Sequence, residues 1–434
     1  MFGALTSNPP LTVRQRARIE LYMRKAVDLI GAETLLAAEV VPEISALQLR
    51  MDSPEDLLRT AASEVSKRMK VDHRNIRLKV SRADKMNAYG LYVQGDRPTV
   101  VVAEEVLLDP LRTVTVLAHE FSHDVLLGRA EARPEDGDEY LTDLIPTCFG
   151  LGVLQSDGAF YSNNWTYGGW SGYGLSSFGY LNAQELGYAM ALFARIRQER
   201  PPNWQRWLRD DSKVTMKHAL RYFKRADKLG EGLLFDADRI PGLSATKPEL
   251  IGWLDSREPT FALAAAWRLS ALFEFDVSIT QALLKASYRS EIEVVPYIIT
   301  LLAGTNHCVE QVQSRLTELL RDRRPEVTLA AAKAAHVLGM NLSNHVAALG
   351  WVLENSDIPS DILKLIASVG YAAEGLDKLI CLRLFRTIRD LHHDEAIEYA
   401  KCLKAISPDP MAVVTAFART DNQRDEAMHW VNEL

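Results

Sequence analysis

The sequence predicts an α+β fold: a small, mostly antiparallel sheet with helices around it, followed by an all-α region of helical repeats. Three observations predict it. Short runs that alternate apolar with charged residues, or are apolar and flank a turn signal, cluster between residues 76 and 103. Apolar residues recur at helical spacing through most of the remaining first half. From about residue 246 strand patterns vanish, and apolar-periodic segments alternate with short polar breaks. The boundaries this implies are an N-terminal helical segment over 1–50, a mixed domain over 51–245 and a helical-repeat domain over 246–434. A chain of 434 residues exceeds one ordinary core, in line with that division.

The elements follow in order. Residues 1–10 read as a loose arm ending in Pro9-Pro10. Thr12 can cap a helix to about Ala38, with Ile19, Tyr22, Met23, Ala26 and Ile30 on one face. Ser53-Pro54-Glu55 starts another, because serine caps and proline fits the first turn. Residues 76–81 alternate apolar and charged and read as a half-buried strand. Tyr89–Val93 and Thr99–Ala103 flank the turn-forming Gly95-Asp96-Arg97-Pro98, which predicts a hairpin. After Asp109-Pro110, residues 111–127 are strongly helical. Residues 128–138 are polar and read as a loop. Glu139 to about Leu154 reads as a helix that Pro146 kinks or redirects. Residues 156–180, rich in Gly, Ser, Asn and aromatic residues, read as a long loop. Helical stretches follow over 182–199 and 203–228, parted by Pro201-Pro202. Beyond them, helical pairs can be drawn at 248–286, 290–322, 325–356, 359–390 and 394–433. Arg324 to Gly339 resembles the first helix of HEAT-type repeats, and the spacing of about 33 to 40 residues fits stacked helical hairpins.

Composition narrows the function classes. Charged residues make up 25% and hydrophobic residues 47%, a soluble globular profile. The net charge of −7 and the lack of a basic tract argue against nucleic-acid binding. No apolar stretch reaches about 18 residues, so no membrane span is expected, and the N-terminus lacks the pattern of a secretion signal. Cys148, Cys308, Cys381 and Cys402 are scattered, which reads as reduced thiols in a cytoplasmic protein.

The chemistry concentrates in His119-Glu120-Phe121-Ser122-His123. Residues four apart share a helix face, so the two imidazoles converge on one point. Two neutral imidazoles suit zinc, which takes nitrogen and oxygen donors in a tetrahedral shell. Glu120, one residue on, projects beside the ion, where a carboxylate can take a proton from an activated water. The alternative is a pair of histidines bonded to carbonyls or carboxylates with no metal. A third protein ligand would leave one open position. The next helix offers Glu139 and Asp143, again four apart on one face. Glu131, Glu135 and Asp138 sit in the polar loop and read as solvated.

These residues together resemble the gluzincin clan of zinc metallopeptidases over about residues 89–155. The resemblance implies a zincin-like domain binding one zinc ion per chain. It assigns Glu139 as the third ligand and Asp143 as the carboxylate that holds a ligating histidine. Asp143 as the ligand itself remains the competing assignment. The resemblance also implies that the strand Thr99–Ala103 binds peptide as an added strand. The link over 124–138 is shorter than in that clan.

The activity expected is hydrolysis of peptide bonds in a protein or peptide substrate, with Glu120 as general base. The helical repeats would recruit a protein partner or the substrate. Candidates for a second oxyanion donor are Tyr167, Tyr173, Tyr180, Tyr188 and His218. Two other readings stand beside it: a scaffold or binding protein with a structural or inactive zinc site, and a zinc hydrolase of a non-peptide amide.

Overall fold

The computed structural model describes residues 9–82, 88–128, 138–158, 160–167, 170–177, 181–229, 233–236, 245–355 and 359–433, with backbone alone for 160–167 and 170–177. The chain divides into two compact units, Met1–Ser244 and Ala245–Leu434. Among the described residues no helix is long and apolar enough to cross a membrane.

The first unit opens with helix α1, Val13–Ile30, capped by Thr12 and Gln15 bonding each other's backbone. The expected run to Ala38 is broken at Gly31, whose φ of 84° lies outside the helical region. A short helix α2, Ala32–Ala37, follows. Helix α3, Pro54–Met69, starts at the Ser53 cap, with Pro54 in its first turn.

The three-stranded sheet consists of β1, Arg77–Ser81, β2, Gly90–Val93, and β3, Thr99–Ala103, in the order β1-β3-β2. Strands β2 and β3 form the expected antiparallel pair, with Gly90 opposite Val102 and Tyr92 opposite Val100. Strand β1 runs parallel to β3, so the sheet is mixed and not mostly antiparallel. Burial accounts for the strand order. Val100, Val102 and Ala103 are fully buried, and such an apolar run gains most from the central place. That place leaves Thr99–Ala103 paired on both sides. It cannot accept an added strand, and among the described residues β1 and β2 are the edge strands.

Helix α4, Pro110–Leu127, begins at Asp109, whose carboxylate accepts the backbone N–H groups of Leu111 and Arg112. Val114, Leu117, Ala118 and Phe121 sink into the core, and the helix packs against α3, β2 and β3. Helix α5, Glu139–Cys148, packs on α4 and α1. It ends two residues after Pro146, and the chain turns at Phe149-Gly150-Leu151 into α6, Gly152–Gly158. At Gly150, φ is 80° and a Cβ would lie 2.3 Å from the Glu39 carbonyl oxygen, so only glycine fits.

Residues 156–180 are not one long loop. Strands β4, Phe160–Tyr167, and β5, Trp170–Ser177, pair antiparallel, with Tyr167 opposite Trp170. Helix α7, Ala183–Ile196, is capped by Asn182 and packs on α8, Asp210–Leu229.

The second unit is helical throughout its described residues. Pro248, Pro259, Pro296, Pro325 and Pro410 stand in first turns, where a missing N–H is harmless. Contacts run between helices close in chain order. Arginines tie successive turns at a repeating distance. Arg289 reaches back 35 residues to the Leu254 carbonyl, and Arg324 reaches back 34 residues to that of Ser290.

Candidate metal centre

Two helices build the site. On α4, His119 and His123 face the same side one turn apart. Their ring centroids are 5.1 Å apart and their planes are nearly perpendicular at 84°. On α5, Glu139 is the first helical residue. Its place is set by Asp138, which caps the helix through the N–H groups of Tyr140 and Leu141 and accepts the Tyr22 hydroxyl at 2.9 Å. Asp138 is therefore spent on the cap. Glu131 and Glu135 lie outside the described residues.

His119 Nε2 lies 3.1 Å from Glu139 Oε2, and His123 Nε2 lies 3.5 Å from the same oxygen. All three donor atoms fall within 4.8 Å of one another and could hold a metal ion. A four-coordinate ion with bonds of about 2.0–2.1 Å needs donor separations of about 3.3 Å, so both spacings fit. Glu139 Oε2 is buried and makes no aligned hydrogen bond. A buried carboxylate oxygen without such a partner is costly unless a cation faces it.

Asp143 sits one turn further along α5 and does not join the donor atoms. Its Oδ1 is 2.8 Å from His119 Nδ1, and its Oδ2 accepts the Leu181 N–H at 3.1 Å. A carboxylate on Nδ1 fixes the tautomer that leaves Nε2 free to ligate. His123 Nδ1 lies 3.5 Å from the Thr142 hydroxyl oxygen, a longer contact. The Tyr92 ring stacks on His123 at 5.9 Å and 24°.

Carboxylates and imidazoles shift one another strongly in this cluster. Burial alone would lower His119, but Asp143 and Glu139 outweigh it and raise the imidazole to about 10. The His119 and His123 imidazoles hold Glu139 down to about 2 against the effect of its burial. Glu120 is 4% exposed, and burial raises its carboxyl, opposed by the two histidines. A carboxylate moved up toward neutrality is a better proton acceptor at working pH.

Strand β2 meets Glu120 directly. A Cβ built on Gly90 would fall 2.3 Å from Glu120 Oε1. Gly90, Tyr92, Thr142 and the Leu181 N–H had no part in the reading of the motif. Gly90 carried a usable signal, since glycine inside a strand often marks a close approach.

Of the other candidates, Tyr188 and His218 have described side chains. Tyr188 is fully buried and donates its hydroxyl to Glu20 at 2.6 Å, inside the core. His218 lies on α8 with a buried Nε2 that has no hydrogen-bond partner. The side chains of Tyr167 and Tyr173, and Tyr180 altogether, lie outside the described residues. Comparison of the chain with family models, with curated proteins and with solved structures gives no match.

Proposed function

We propose that this chain is a zinc-dependent hydrolase of peptide bonds, related in its site to the gluzincin metallopeptidases. His119, His123 and Glu139 would hold one ion, and a set of two imidazoles and one carboxylate suits zinc. One observation carries the reading: three donors from two helices converge at metal-ligand spacing while Asp143 clamps the outer nitrogen of His119. When bound, zinc supplies Lewis acidity, making a water nucleophilic near neutral pH and polarising the scissile carbonyl.

The chain's own residues do the rest. Glu120 accepts a proton from the water and returns it to the leaving amine. Its burial excludes bulk water from that transfer. Strand β2, whose outer edge is unpaired among the described residues, runs beside Glu120 and offers backbone groups to an extended peptide. The helical unit, with its neighbour-on-neighbour packing, would recruit a protein partner or the substrate. Four free cysteines fit a reducing compartment such as the cytoplasm.

The test compares zinc-loaded parent and Glu120→Gln on a proteome-derived peptide library, read by mass spectrometry for new amino termini. Cleavage by the parent and none by a variant that keeps its zinc is expected. A variant that cleaves as fast as the parent contradicts the role of Glu120, and a zinc-loaded parent that cleaves nothing contradicts the hydrolase.

A further inference from the structure

The two histidines are held unequally. His119 has a carboxylate at 2.8 Å, itself anchored by the Leu181 N–H. His123 has Thr142 Oγ1 at 3.5 Å, the outer limit of a hydrogen bond, and that hydroxyl already donates to the Asp138 carbonyl at 3.1 Å. An imidazole with so weak a tether can rotate about its last torsion, which is broad and roughly two-fold. Rotation would carry Nε2 away from the point it shares with His119 and Glu139.

We propose that Tyr92 is the positioning residue for His123: its ring, stacked on the imidazole and tied through its hydroxyl to Asp124, holds His123 in the orientation that ligates metal. The inference rests on the metal centre proposed above. The ring planes are 24° apart at a centroid distance of 5.9 Å, a stacked geometry that resists rotation of either ring. The Tyr92 hydroxyl donates to Asp124 Oδ1 at 3.0 Å. Asp124 adjoins His123 on α4, so this tether pins the tyrosine to the helix whose histidine it covers. From the other side, Tyr92 is held in register opposite Val100, which is fully buried. Strand, helix and imidazole are thereby locked together through one side chain. With its hydroxyl on Asp124, Tyr92 is directed away from the role of oxyanion donor. What carries the effect is the flat ring.

The test measures zinc affinity by competition with a chromophoric chelator and the visible spectrum of the Co2+ form. The proteins are the parent, Tyr92→Phe, Tyr92→Leu, Tyr92→Thr and His123→Ala. Melting of the metal-free proteins reports folding, and two non-aromatic variants guard against one failing to fold. Tyr92→Phe should stay within about threefold of the parent, while Tyr92→Leu and Tyr92→Thr should lose about tenfold in affinity, with shifted Co2+ bands. Leu and Thr variants with parental affinity and spectrum, beside a His123→Ala that has lost metal, would overturn the proposal and leave the metal centre standing. A Phe variant as weak as the Leu variant would overturn it too. A parent that takes up neither ion overturns both readings.

Discussion

Gly90 and Glu120 are packed so closely that a single added methyl group at Gly90 would collide with the carboxylate, 2.3 Å from Oε1. The general base proposed here is therefore positioned by the absence of a side chain on an edge strand. Gly90→Ala should keep its zinc, since no ligand moves directly. It should lose about a hundredfold in turnover, because a displacement near 1 Å of a reacting group costs that much. Metal content and peptide cleavage, measured on one preparation, check both halves.

Asp143 serves two masters, the His119 ring and the Leu181 backbone. Asp143→Asn keeps the shape but presents an amide where one of those donors needs an acceptor. Zinc affinity should fall about 10- to 100-fold. Asp143→Ala should in addition cost about 1–3 kcal/mol in stability by leaving the buried Leu181 N–H unpaired. Chelator competition and denaturant unfolding of the metal-free protein separate the two effects.

Protons and metal compete for His119. Its imidazole, raised to about 10, must give up a proton to ligate. Zinc binding should release that proton and tighten by about tenfold per pH unit as pH rises from about 6.5 toward about 10. In the metal-free chain the linkage has the opposite direction. A raised imidazole contributes stability that is complete below about pH 6.5 and is lost as pH climbs through about 10. Glu139, lowered to about 2, contributes stability present above about pH 4.3 and lost as pH falls through about 2. Titration calorimetry in buffers of different ionisation enthalpy counts the released protons. An affinity flat with pH would contradict the assignment.

In the second unit, Arg289 bonds the carbonyls of Leu254 and Ser256 and the Glu291 carboxylate. Arg289→Ala should destabilise residues 245–434 by about 1–3 kcal/mol while leaving zinc content unchanged. Unfolding followed by circular dichroism, with metal analysis alongside, tests this.

The features legible in the sequence were the local ones. Thr12, Ser53-Pro54 and Asp109-Pro110 open helices because capping uses groups within three residues. His119 and His123 share a face for an equally local reason. Strand order was not legible, since β1 pairs with β3, which follows it in the chain only after β2. The β4–β5 hairpin was hidden by polar, glycine-rich composition. Glu139 and Asp143 lie on the same helix face, so spacing alone could not say which of them meets the histidines' Nε2 atoms. The way α5 crosses α4 separates them, placing Glu139 at both Nε2 atoms and Asp143 behind His119. Tyr92 was illegible because its partners, His123 and Asp124, sit more than thirty residues away on another element.

The account stands or falls on whether these three side chains bind an ion. Mass-spectrometric metal analysis of purified parent, His119→Ala and Glu139→Ala is the most direct measurement. One zinc per chain in the parent, lost in both variants, is the predicted result. A parent free of metal after zinc loading, or variants that retain a full equivalent, would contradict it.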